Sequence, residues 1–208
     1  MAILNGLNAD TSKHLQLDSG VLLHSLSPGD LITLKKGAKS DDDGVAFDGV
    51  IKQKTLGATK GGATFSAIPE MRSLLDGVNG ARGNYKEGQV IDSWEISIKA
   101  TVSEITAANI GYALSNNKFT DESPYTKFKG EVGRINKTNF LGNIAWIGSM
   151  NGNDKPIIII INNALNTHGM TFVAEDKNTG SIEMELKGHF SLEKPDDVPF
   201  EIYIPNIV

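Results

Sequence analysis

The chain has 208 residues, of which 39% are hydrophobic and 22% charged, with a net charge of −5 and no cysteine. That length supports one domain with its own core, and the acidic balance argues against a basic nucleic-acid patch. The missing thiols exclude disulfides and cysteine-based metal or redox sites.

No N-terminal basic-then-apolar run resembles a signal peptide, and the longest apolar run, Pro156–Ile161, is too short to span a bilayer. Met1–Gln16 is polar and patternless and reads as an N-terminal arm. Leu17–Leu26 predicts a strand with a bulge at Gly20, followed by a turn at Ser27-Pro28-Gly29-Asp30. Lys35–Gly44 reads as a charged loop and Val45–Lys54 as a strand. A glycine turn at Gly57–Gly62 (GATKGG) leads into an extended segment, Ala63–Leu75, which Pro69 marks as an edge strand. Asp76–Val90 carries four glycines and no periodicity; structureless loops of this length are uncommon and often functional.

The clearest pattern follows. In Asp92–Ile105, Trp94, Ile96, Ile98, Ala100 and Val102 alternate with Glu95, Ser97, Lys99, Thr101 and Ser103. Alternating side chains on a strand face opposite ways, so one face is buried and the other wet. The single predicted helix is Ala107–Asn116, capped by Thr106, with Ile110, Ala113 and Leu114 as its apolar stripe. Asn117–Pro124 reads as a loop, with strands at Tyr125–Ile135 and Gly142–Met150. The five isoleucines Ile157–Ile161 leave no wet face, so both sides must be covered, by that helix or by a neighbouring copy. Met170–Asp176 and Gly180–Leu192 predict a hairpin, the second strand alternating Ile182, Met184, Leu186, Phe190 and Leu192 with Ser181, Glu183, Glu185, Lys187, His189 and Ser191. Phe200–Ile204 closes the set. The predicted class is mainly β: an antiparallel sandwich or half-barrel with one short flanking helix and long loops, in one domain spanning 1–208.

Catalytic and metal signatures were sought on their chemistry. The histidines at 14, 24, 168 and 189 share no zinc-ligand spacing. GATKGG lacks the Gly-Lys-Ser/Thr ending a phosphate loop needs, and the twelfth position from Asp41 is Lys52, where a calcium loop needs glutamate. No Gly-x-Ser-x-Gly occurs, so neither an enzyme nor a cofactor is expected. Two strands wet along one face, a long loop and an arm suit an assembly subunit; they suit equally a monomeric sandwich with an ordinary solvent face, such as a virion binding module.

LGATKGGATFSAIPEMRSLLDG (Leu56–Gly77), VIDSWEISIKATVSEIT (Val90–Thr106) and the run from Pro156 to Pro205 resemble the tail tube, or major tail, proteins of long-tailed bacteriophages. The resemblance implies hexameric rings stacked into a tube, each subunit lending a sheet to a β-barrel around a lumen that conducts DNA without binding it specifically. It also implies tape-measure and tail-terminator or baseplate partners, no membrane, and a place in the virion tail after assembly in the host cytoplasm. Contractile phage-tail-like injection particles use related tubes. On this reading Glu95, Ser97, Lys99, Thr101, Ser103, Glu183, Glu185 and Lys187 line the lumen. Asp76, Asn79, Arg82, Asn84, Tyr85, Lys86 and Glu87, in the loop at 76–90, make the inter-ring contact.

Overall fold

The computed structural model describes residues 11–37, 41–81, 83, 85–174 and 176–206, with backbone alone for 41–43. It is 44% strand and 19% helix. In chain order the elements are β1 (Val21–His24), α1 (Pro28–Lys36), α2 (Asp41–Lys54), β2 (Thr59–Ser73), β3 (Gln89–Val102) and α3 (Ala107–Leu114). They continue with β4 (Asn117–Glu122), β5 (Tyr125–Gly130), β6 (Leu141–Gly148), β7 (Ile157–Asn166), β8 (Thr171–Val173), β9 (Ser181–Lys187) and β10 (Phe200–Tyr203).

The main sheet runs β1-β6-β7-β9-β3-β2, every neighbour antiparallel, with β10 paired to β7 and β8 to β9. β7 holds the two halves together. Its first residues, Ile158–Ile161, pair with β10, and its last, Leu165 and Asn166, pair with β9. The sheet therefore folds over itself as a sandwich, packing Leu22, Ile144, Ile161 and Ala164 against Ile96, Ile98 and Leu186. The monomer is not a closed barrel.

Asn166 secures the joint where the halves meet. Its amide nitrogen donates to Ala113 O (2.6 Å) and Gly169 O (2.8 Å), while its oxygen accepts from His168 N (3.3 Å) and Glu185 N (3.1 Å). All four hydrogen-bonding positions of a buried amide are thus occupied, which offsets the cost of burying it.

Several sequence expectations are corrected. The Ser27–Asp30 turn is the start of α1: the Ser27 hydroxyl accepts from Asp30 N–H (3.2 Å), and the Asp30 carboxylate accepts from Ser27 N–H (2.8 Å). This is a capping box with Pro28 in the first turn, where its missing N–H costs nothing. Val45–Lys54 is helical as part of α2, because Phe47, Val50 and Ile51 fall on one face and pack beside Leu34. Asn117–Glu122 is a strand, paired with β5 in a separate two-stranded hairpin. Gly20 (φ +68°) precedes β1 rather than bulging it; a Cβ there would lie 2.3 Å from Trp146 Nε1.

Ile158, Ile160 and Ile161 of the isoleucine run are core while Ile157 and Ile159 are half-buried, and the predicted helix does not cover them. Ile158 and Ile160 pack with Leu23, Leu26 and Leu34 beneath α1 and α2, whereas Ile161 faces the inter-sheet core. α3 is present but ends at Leu114 rather than Asn116; Thr106 Oγ1 accepts from Asn109 N–H at 3.1 Å as its cap, and the helix packs over Ile182 and Met184 of β9. Pro69 does mark an edge, since β2 ends the sheet. No helix among the described residues is long and apolar enough to cross a membrane.

His24 gives the fold a pH sensitivity. Its Nδ1 is buried with no hydrogen-bond partner, and its ring lies 5.4 Å from that of Tyr112. Burial, reinforced by the nearby Lys54 charge, holds its pKa below the ordinary 6.5. The folded state therefore prefers the neutral ring. The stability this contributes is complete above the unfolded-state value and declines as pH falls through it. The urea midpoint is expected to drop between about pH 7.5 and 5.5, and less so in His24→Phe; equal slopes in both proteins would contradict this.

Candidate functional site

The register of β2, β3, β9 and β8 assembles one continuous polar face. Thr64 pairs with Lys99, Ser66 with Ser97 and Ile68 with Glu95 across β2 and β3. Ser97, Lys99 and Thr101 then pair with Lys187, Glu185 and Glu183 across β3 and β9, and Glu183 pairs with Thr171 of β8. Seven of the eight residues predicted for a polar wall share this face. Ser103, beyond the end of β3, is held by its N–H donating to Ala58 O (2.8 Å). Ser97, expected to be wet, is only 5% exposed, its short side chain lying among the longer Glu95 and Lys99 side chains of the same face. The face is also shorter than its alternation suggested. β9 ends at Lys187, and Phe190 and Leu192 lie outside any strand with Leu192 fully exposed.

The charges on the face are paired across strands. Lys187 Nζ lies 2.5 Å from Glu95 Oε1, and Lys99 Nζ lies 3.4 Å from Glu185 Oε2. His168 Nδ1 stands 4.0 Å from the same Glu185 oxygen. The hydrogen bond from Lys187 holds the Glu95 carboxyl below its ordinary pKa, and reciprocally the bond to Glu95 raises that of Lys187. Both lysines thus already have a carboxylate partner, and Glu183 stands exposed beside them. A shallow depression of about 300 Å³, lined by Lys60, Thr64, Lys99, His168, Glu183 and Glu185, opens onto this face.

The second feature is the β2–β3 hairpin. Pairing of β3 with β9 ends at Ser97, yet pairing with β2 continues to Ser73↔Gln89. Its base is anchored by Trp94, whose ring lies 5.6 Å from that of Phe200. Beyond Glu70↔Ser93 the ladder slips, leaving Asp92 as an extra residue whose carboxylate receives both Arg72 Nε (2.8 Å) and Nη2 (3.0 Å). The outer rungs extend roughly 10 Å with no third strand beside them.

The loop at the tip runs from 74 to 88, because Gln89 and Val90 already belong to β3. It is tied by turns, with Leu74 N–H donating to Gly88 O (2.8 Å) and Ala81 N–H to Val78 O (3.0 Å). Asp76, Asn79, Tyr85, Lys86 and Glu87 are exposed on it; Arg82 and Asn84 lie outside the described residues. Sequence reasoning missed its apolar content. Met71 and Ile91 on the flanking strands and Leu74 and Val78 in the loop are each at least 48% exposed, and the signal was present in the apolar residues spread through 71–91, Leu75 and Tyr85 among them.

A cleft of about 620 Å³ lies between α3 and the β4–β5 hairpin, lined by Tyr112, Phe119, Phe128 and Phe140. Its amides are already committed: Asn117 donates to Gly111 O (2.9 Å) and Asn166 to the joint described above. Its aromatic rings give it a mostly apolar wall, with the Thr126 and Thr138 side chains beside them. Among the described residues no group of three or more His, Asp or Glu side chains could hold a metal ion. Comparison with protein-family models found no match, and comparison with curated proteins found none either.

Proposed function

We propose that the chain is the structural subunit of a phage tail tube, in which copies close into rings that stack around a DNA-conducting lumen. The observation that carries this reading is the strand order β2-β3-β9-β8. With four strands alternating in direction, β2 and β8 run opposite ways at the two open edges. A second copy related by rotation about an axis would bring its β2 antiparallel to the first copy's β8. Pairing could continue around a circle until no edge remained, which removes the aggregation hazard of the exposed β2 edge.

In that arrangement the polar face turns toward the axis. Adding Lys60 and Glu70, which share this side, to Glu95, Glu183, Glu185, Lys99 and Lys187 gives −4 + 3 = −1 per subunit, a charge that repeats around the ring. Pairing of Lys99 and Lys187 with carboxylates leaves the wall with few free cations to hold a phosphate backbone, while its net charge repels it weakly. Passage of DNA without retention follows. Electron micrographs of the concentrated protein are expected to show rings or tubes of one width; compact monomers at every concentration would refute the reading.

A further inference from the structure

Two exposed apolar surfaces lie at opposite ends of the same strands. One is the hairpin end, with Met71, Leu74, Val78 and Ile91. The other lies where β2 and β3 begin and end at Thr59↔Val102. There Ile105 (49% exposed) and Phe172 (51%) share a surface: a Cβ built on Gly180 would meet Ile105 Cδ1 at 3.3 Å and Phe172 Cζ at 3.5 Å. Along the 14 residues of β3, the two ends stand about 45 Å apart.

Both surfaces belong to the same layer. Met71 follows Phe65 and Ala67 in alternation along β2, and those two pack against the core; Ile91 is its cross-strand partner. Phe172 pairs with Ile182, which is also core. Each patch therefore lies on the side of the sheet away from the Glu95–Lys187 face. A copy displaced along the strand direction would bring its hairpin tip over the Ile105–Phe172 patch while keeping the two polar faces in line. Contact between unlike patches is heterologous, and under displacement along one axis it does not close, so it extends into a stack.

We infer that the hairpin tip of one copy docks on the Ile105–Phe172 surface of another, and that this contact, rather than strand pairing, joins ring to ring. The inference rests on the tube reading and adds the receiving surface to it. Contact between the two would cover Met71, Leu74, Val78 and Ile91 on one copy and Ile105 and Phe172 on the other, all about half-exposed or more in the monomer.

Phe172 is an aromatic at a half-exposed site, so benzoylphenylalanine in its place in the full chain provides the test. Assembled particles mixed from isotopically heavy and light protein are irradiated, and the linked peptides identified. Heavy–light links between position 172 and residues 71–91 are expected. Particles that form but link 172 elsewhere overturn the contact and leave the tube reading standing; absence of any particle from the wild-type protein overturns both. An Ile105→Glu variant, outside the ring-closing strands, should still give rings while losing stacked particles by at least about tenfold. Stacks in wild-type yield would also overturn the contact.

Discussion

Tubes built from a Glu95→Lys/Glu183→Lys variant are expected to retain short duplex DNA that wild-type tubes release. The wall would change from four glutamates and three lysines to two glutamates and five lysines, moving each subunit from −1 to +3. Both positions are exposed, so the fold should survive the exchange. Glu95 matters twice, because its replacement also frees Lys187, whose ammonium it now holds at 2.5 Å. Glu185 is better left in place: its side chain is 17% exposed between Lys99 and His168, where a third introduced lysine would lie against the Lys99 ammonium. Retention driven by lysine–phosphate contacts should weaken steeply with added salt, by roughly 10³-fold or more between 50 and 200 mM if six or more phosphates are engaged. Variant tubes that release DNA as freely as wild type would remove this face from the DNA path.

Deleting Asn79–Gly88 is expected to abolish long tubes while leaving soluble rings or monomers. The described residues of the segment contribute nothing to the three buried clusters, and the hairpin base stays anchored through Trp94 and Phe200. Far-ultraviolet circular dichroism and the thermal midpoint should therefore remain close to wild type, whereas sedimentation should lose its fastest species. Tubes of unchanged length would exclude the tip from ring-to-ring contact. Loss of the rings themselves would show that it also serves lateral closure.

The strands were legible where burial differs between their faces. β3 and β9 announce themselves through alternation, and β7 through its isoleucines, because a one-residue slip would expose an entire apolar set. α1 and α2 were not legible as helices. Pro28 and Gly29 carry turn character that a capping box turns into a helix start, and Gly44 and Gly49 dilute the helical spacing of Phe47, Val50 and Ile51. β4 (NKFTDE) has almost no apolar content and is strand only through its pairing with β5.

The candidate surface was half visible. Glu95, Lys99, Glu183, Glu185 and Lys187 were readable as polar positions on alternating strands. Their cross-strand pairing was not, since it depends on a register between residues about ninety apart in sequence. The same holds for the burial of Ser97 and for the proximity of Ile105 to Phe172. The opposed directions of the open edges β2 and β8 emerge only from the full strand order.

The most direct measurement is an electron-microscopic reconstruction of the assembled particle at a resolution that separates strands. The account predicts a hollow ring with Glu95, Lys99, Glu183 and Glu185 around the central axis and β2 of each copy hydrogen-bonded to β8 of the next. A ring whose axis is lined by other residues, with these four turned to the outer surface, would contradict it.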